Sequence, residues 1–185
     1  MERTKVRMDE VEEYNHRMAN SILDLPLILE TRRNHALEHA TLHVLAEKYP
    51  SRSMAGHSNP TGFFILGDLP TEDVQSASAQ ALRRLRAGES ALAIHPGCGT
   101  NFATTALLAG TLAWLVLRGG KSTFGRIIRI PFAIVFALLG VLISRPLGPV
   151  IQQRITTDAD MGNLQIVDVR PSSHGRLTAH RVITR

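Results

Sequence analysis

Two stretches, FATTALLAGTLAWLVL from Phe102 to Leu117 and IPFAIVFALLGVLI from Ile130 to Ile143, decide how the rest of the chain is read. The first holds sixteen residues without a charge and the second fourteen, extended toward Ile127 if Arg129 reaches outward to a headgroup. Each is short against the roughly 20 residues that span a bilayer, so spanning, lying within one leaflet and forming a buried helical hairpin are the three alternatives. A dry hairpin needs a larger partner than the remaining chain supplies, and membrane insertion is the expectation. Gly110 and Gly140, with Ala106, Ala109 and Ala137, would let the two helices approach closely.

The rest of the chain is too small for two further domains. A composition that is 44% hydrophobic suffices for one core, and a mean hydropathy of zero requires the apolar material to be concentrated, as it is in this insert. Cys98 stands alone, which excludes an internal disulfide and points to a reducing compartment or to a chain that does not need oxidation. The net charge of +5 is spread over a chain with one Trp, two Tyr and six Phe. An anionic lipid bilayer is therefore the expected partner, and nucleic acid is not. Charges from Glu2 onward leave no apolar segment for a cleavable signal peptide, so the soluble part is expected in the cytoplasm, on the inner membrane. The hairpin loop (Arg118, Lys121, Arg126, Arg129) and the domain side (Arg83, Arg84, Arg86, Arg145, Arg154) are both basic, so the charge count alone does not orient the insert.

Working outward, residues 1–28 read as an N-terminal arm. Leu37, Ala40, Val44 and Leu45 recur at helical spacing between Leu29 and Tyr49, and Pro50 stops the pattern. Gly62 to Gly67 reads as a short buried strand after a turn-like 51–61, with Ser51 to Ala55 as its hairpin partner. Thr71 is expected to cap a second helix that runs to about Arg86 and ends at Gly88. Ala91 to Ile94 is expected to be a strand, and Leu164 to Arg170 and Leu177 to Thr184 a closing antiparallel pair. The expected class is α+β: a small mixed domain of two helices and four to five short strands, formed by 29–100 and 147–185, interrupted by a two-helix membrane hairpin at 101–146.

The chemistry-bearing pattern is His35-Ala36-Leu37-Glu38-His39-Ala40-Thr41-Leu42-His43. At 3.6 residues per turn the three histidines advance by about 40° per step, and Glu38 sits about 60° to the other side of His35. All four share one arc. Imidazoles at i and i+4 converge on one Zn²⁺ at about 2.0 Å, and a neighbouring carboxylate serves as base toward metal-bound water. The spacing His35-x-x-Glu38-His39 resembles the H-x-x-E-H motif of inverzincin metallopeptidases. That resemblance covers five residues and implies His35 and His39 as ligands, Glu38 as the general acid/base and a further glutamate as third ligand. Glu72, Glu89 or His57 would have to fill that place, and His57 is the first choice; His43 is surplus to the motif and is itself a candidate ligand.

The longer string Asn34 to Thr41, with Gly56-His57-Ser58 and Gly62-Phe63-Phe64, resembles an uncharacterised family of bacterial membrane-associated proteins defined as a domain of unknown function. It implies that the His/Glu helix belongs to the common design of that domain and brings no activity with it. His95 and Cys98 precede the first apolar helix, where the thiol and the free N–H groups of Thr100, Asn101 and Phe102 could meet an anion or metal; the simpler reading is a tight turn capped by Thr100 or Asn101. His174 and His180 are expected on the surface. The leading expectation is a membrane-attached, zinc-dependent hydrolase acting on a peptide or amide near the bilayer. The alternatives are a non-enzymatic accessory or assembly protein of a membrane complex, and a metal or pH sensor.

Overall fold

The computed structural model describes residues 22–120, 122–172 and 178–185, so His174 and most of the expected N-terminal arm lie outside the described residues. Helix α1 (Pro26–Lys48) begins three residues earlier than the periodicity suggests. Pro26 opens it because the first helical N–H has no intrahelical partner to lose.

Strand β1 (Ala55–Asn59) pairs antiparallel with β2 (Gly62–Leu66) across Pro60 and Thr61. Gly56 to Asn59, expected as a turn, is therefore strand, and of the proposed partner Ser51 to Ala55 only Ala55 pairs. The two-residue connection fixes this register: it sets Asn59 opposite Gly62, and Gly62 supplies the φ of +133° that it requires.

Helix α2 (Thr71–Arg86) has Pro70 rather than Thr71 at its N-cap, and Glu72 and Asp73 sit in its first turn. The Thr71 hydroxyl instead lies 3.1 Å from Nε2 of His180, a residue only 2% exposed. His180 is thus a core residue beneath the start of α2, contrary to its expected surface position. Residues Ser90–Ala93 form a 3₁₀ turn and not a strand. Their short apolar run seats Ala93 against α1, which leaves the Ala93 and Ile94 carbonyls free for histidines of that helix.

The sheet is completed after the insert by β3 (Ile166–Pro171) and β4 (Ala179–Thr184), in the order β1-β2-β4-β3, antiparallel throughout. Alternation sends Phe63, Ile65 and Val182, all 0% exposed, to the face covered by α1 and α2, where they meet Leu37, Leu45, Val74 and Leu85. Each such side chain contributes about 1.5–3 kcal/mol by leaving water. Asn34, also fully buried, donates to the carbonyls of Asn59 (3.0 Å) and Pro60 (3.2 Å) and accepts from Thr184 (2.7 Å). It pins α1 to the β1–β2 turn and to the adjoining end of β4.

The insert is a pair of packed helices, α3 (Gly99–Arg118) and α4 (Thr123–Ile151), the second relaxing into a wide π-turn at Gln152–Thr156. Both are long and apolar enough to cross a membrane. Their large apolar side chains face outward: Leu107 is 70% exposed and Phe132 60%. At Gly140 a Cβ would lie 2.7 Å from the Ala109 backbone, so this glycine permits the close approach, whereas Gly110 faces open space and takes no part in it. Arg129 does not reach outward; its guanidinium folds back and donates to the Val116 carbonyl at 3.2 Å, at the negative end of α3. At the other end Gln152, 0% exposed, ties the hairpin shut: its Nε2 donates to Asn101 Oδ1 (2.8 Å) and its Oε1 accepts the His95 N–H (2.9 Å).

Candidate metal centre

Helix α1 is enclosed from Asn34 to Leu45. The sheet and α2 cover one side, and the 3₁₀ turn, the 94–98 loop and the π-turn cover the side that carries the histidines. Glu38 is 4% exposed and His39 1%. A buried polar face needs partners for every donor and acceptor, and those partners set the chemistry.

Nδ1 of His35 lies 2.9 Å from the Thr156 carbonyl and Nδ1 of His39 lies 2.7 Å from the Ala93 carbonyl. A carbonyl only accepts, so both Nδ1 atoms carry hydrogen and Nε2 is the nitrogen left to each ring for another partner. Cys98 supplies that partner: its Sγ is 3.4 Å from His35 Nε2. One nitrogen of His35, one of His39 and the Cys98 sulfur all lie within 4.8 Å of one another, a set that could hold a metal ion.

Cys98 is itself the N-cap of α3, its sulfur accepting the Thr100 N–H at 3.4 Å, so neither Thr100 nor Asn101 caps that helix. Burial opposes ionisation of this thiol, but hydrogen bonds from His35, His39 and Thr100 hold it down to about 5. His35 is affected in the opposite sense: burial disfavours its charge, and the contacts with Cys98 and Thr156 outweigh that and raise its pKa. Without metal the Cys98–His35 contact favours ionisation of the thiol, and a metal would take the place of the shared proton.

Glu38 lies beside this group. Burial raises its pKa against the lowering effects of the Ser58 hydroxyl, which donates to Oε2, and of His35 and His39. It fits only because residue 56 is glycine, since a Cβ there would lie 2.2 Å from Oε1. A cleft of about 220 Å³ opens over the group, walled by Thr31, His35, Glu38, Ser58, Cys98 and Thr100 among others.

The other residues singled out from the sequence are placed differently. His57 borders the cleft, but Gly56 and Ser58 on either side of it face Glu38, so strand alternation turns its imidazole to the opposite, exposed face of the sheet. His43 donates from Nε2 to the Ile94 carbonyl at 2.9 Å and packs edge-on against His95, on the far side of His39 from Cys98. Glu89 is paired with Arg84 at 2.8 Å, and Glu72 is exposed on α2. His95 is pushed down to about 4 by burial and by His39 and His43, so it is neutral at physiological pH. The third member of the cluster is thus Cys98, whose sequence signal was a His-Pro-Gly-Cys turn directly before a long apolar helix.

A family model for a domain of unknown function, DUF6391, matches residues 30–169, the span that holds His35, Glu38, His39, Cys98 and the hairpin. The chain belongs to the DUF6391 family. It is also similar to an uncharacterised protein of Picosynechococcus sp., 36% identical over 159 residues that cover 79% of this chain and 74% of the relative. No solved structure matches. The inverzincin resemblance gains nothing from these comparisons.

Proposed function

We propose that this DUF6391 protein is a membrane-attached metalloprotein, with His35, His39 and Cys98 as the protein ligands and Glu38 as a general base, and that it hydrolyses a peptide or amide bond close to the bilayer. The observation that carries the reading is the pair of Nδ1–carbonyl bonds, which fix both tautomers and leave Nε2 of each ring for a metal beside the thiolate. A two-nitrogen, one-sulfur donor set suits zinc, and three protein ligands leave a position open, as catalytic zinc sites do. Bound zinc supplies Lewis acidity toward a carbonyl and acidifies its water. Glu38, with its pKa raised by burial, accepts a proton from a water in the cleft and returns it to the leaving amine, while Ser58 holds the carboxylate in place. The exposed apolar flanks of α3 and α4 support insertion in the membrane, and the unpaired thiol supports a cytoplasmic position for the domain.

Metal analysis of the purified full-length protein tests this directly. The wild type should carry close to one equivalent of zinc, with His35→Ala and His39→Ala depleted of it. Glu38→Gln should keep the metal and lose turnover of a labelled casein or a membrane-anchored peptide. A wild type that neither carries zinc nor takes it up would end the reading.

A second reading rests on the 3.4 Å contact between Cys98 and His35. A thiolate at a helix N-terminus, beside an imidazolium oriented by a carbonyl, is the arrangement of a cysteine nucleophile. Sγ would bond to the substrate carbonyl carbon, His35 would give its proton to the leaving group, and water would release the acyl group from sulfur. Activity that survives chelation and is abolished by iodoacetamide would select this chemistry.

A further inference from the structure

One face of α1 meets the base of the hairpin. His43 and His39 meet the carbonyls of Ile94 and Ala93, ahead of α3; His35 meets Cys98 and Thr156 at the hairpin base; Arg32 donates to the Ile155 carbonyl at 2.9 Å; and Thr31 shares the cleft wall with Thr100, inside the first turn of α3. Upstream of His39 the partners of this face, Cys98, Thr156, Ile155 and Thr100, all lie at the base of the apolar helices. The residues upstream of Thr31 therefore start from the base of the hairpin.

Those upstream residues are apolar and uncovered among the described residues: Ile22 is 65% exposed, Leu25 52% and Leu27 72%. Arg32 joins them to the hairpin, since Nη1 reaches the Leu23 carbonyl at 3.5 Å while Nε holds that of Ile155, itself 50% exposed. Phe102, 69% exposed in the first turn of α3, is a further apolar side chain at the base of the hairpin. A patch of this kind, interrupted by Asp24 and Glu30 and backed by Arg32 and Arg33, is too polar to cross a bilayer and has the make-up of an interfacial segment.

We propose that Ile22 to Leu29, the residues that lead into α1 and form its first turn, seat in the lipid–water interface beside the base of the hairpin. The cleft over His35, Glu38 and Cys98 then opens at headgroup depth, and a membrane-resident substrate reaches it from the lipid side. The inference rests on the reading of α3 and α4 as a membrane hairpin, and lipid is the occupant because Arg32 ties the patch to the exposed Ile155 at the base of that hairpin. Residues Gly99 and Thr100 line the cleft and also open α3, so the distance between the reacting group and the bilayer is fixed by one helical turn.

The test uses the full-length protein in phosphatidylcholine/phosphatidylglycerol vesicles. Trp114 is the single native tryptophan and lies on α3, so its quenching by brominated lipids reports the hairpin alone. In a W114F background, L27W and separately L25W should show blue-shifted emission quenched by lipids brominated near the headgroup and protected from aqueous iodide. Cys98, the single cysteine, should in chelated protein couple to a maleimide carried on a lipid headgroup. Quenched Trp114 with both introduced tryptophans open to iodide would overturn the interfacial seat and leave the hairpin standing; unquenched Trp114 would remove the hairpin and the inference with it. If Cys98 reacts only with soluble maleimide, or with neither reagent, access from the lipid side is refuted.

Discussion

Replacing Cys98 by serine separates metal binding from folding, because the two roles of this residue make opposite demands on the substitution. As N-cap, Cys98 accepts the Thr100 N–H, and serine is among the residues that do this best. Metal-free Cys98→Ser should therefore still fold, keeping the cap and losing the thiol contact with His35. As one of three ligand groups, the thiolate has no substitute in a neutral hydroxyl. At free zinc 100 times the dissociation constant, binding stabilises the wild type by about 2.7 kcal/mol. For a chain of this size that amounts to an upward shift of the unfolding midpoint of about 5–11 °C. Losing a direct ligand weakens affinity at least as much as losing an outer-shell partner, about 100-fold. At the same zinc concentration the variant then gains only about 0.4 kcal/mol, a shift of about 1–2 °C. Circular-dichroism melts in detergent, with zinc and with chelator, measure both numbers. A full wild-type shift in Cys98→Ser would refute Cys98 as a ligand, and no shift in the wild type would refute the metal centre.

Gly56→Ala should leave metal content intact and cut turnover by about 100-fold, because a Cβ 2.2 Å from Oε1 and 2.6 Å from Cγ displaces the Glu38 carboxylate by about 1 Å; metal analysis beside the casein assay checks it, and wild-type turnover would exclude Glu38 as base. Asn34→Leu should cost about 2–4 kcal/mol in urea unfolding, since it strands two carbonyls and the Thr184 hydroxyl in a fully buried place; a cost below about 0.5 kcal/mol would contradict the pinning role. In chelated protein the alkylation rate of Cys98 by iodoacetamide should be flat from pH 6.5 to 8 and fall as pH drops through about 5, where the thiolate takes up its proton. An ordinary thiol would instead still be gaining rate at pH 8.

Features carried by local pattern were legible in the sequence. The charge-free runs at 102–117 and 130–143 could only be helices seeking an apolar surrounding, and the periodic Leu37, Ala40, Val44 and Leu45 are buried as their spacing requires. The alternation in 164–170 and 177–184 foretold the β3–β4 pair. Even the arc shared by His35, Glu38 and His39 followed from helical geometry alone.

What needed the tertiary structure was every decision made between distant segments. Short apolar runs such as Ala91 to Ile94 are ambiguous by periodicity, and that one became a 3₁₀ turn because it packs on a helix and not at a sheet edge. The two-residue turn at Pro60-Thr61 set the register of β1, which turned His57 away from the site and brought Gly56 and Ser58 onto Glu38. Cys98 reaches His35 across 63 residues and the Thr156 carbonyl reaches it across 121, after the chain has passed through the whole hairpin. The composition of one helix shows that imidazoles and a carboxylate share a face. Which sulfur and which carbonyls complete that face depends on where the hairpin returns the chain, because ligand geometry is set by contacts in space and not by spacing along the sequence.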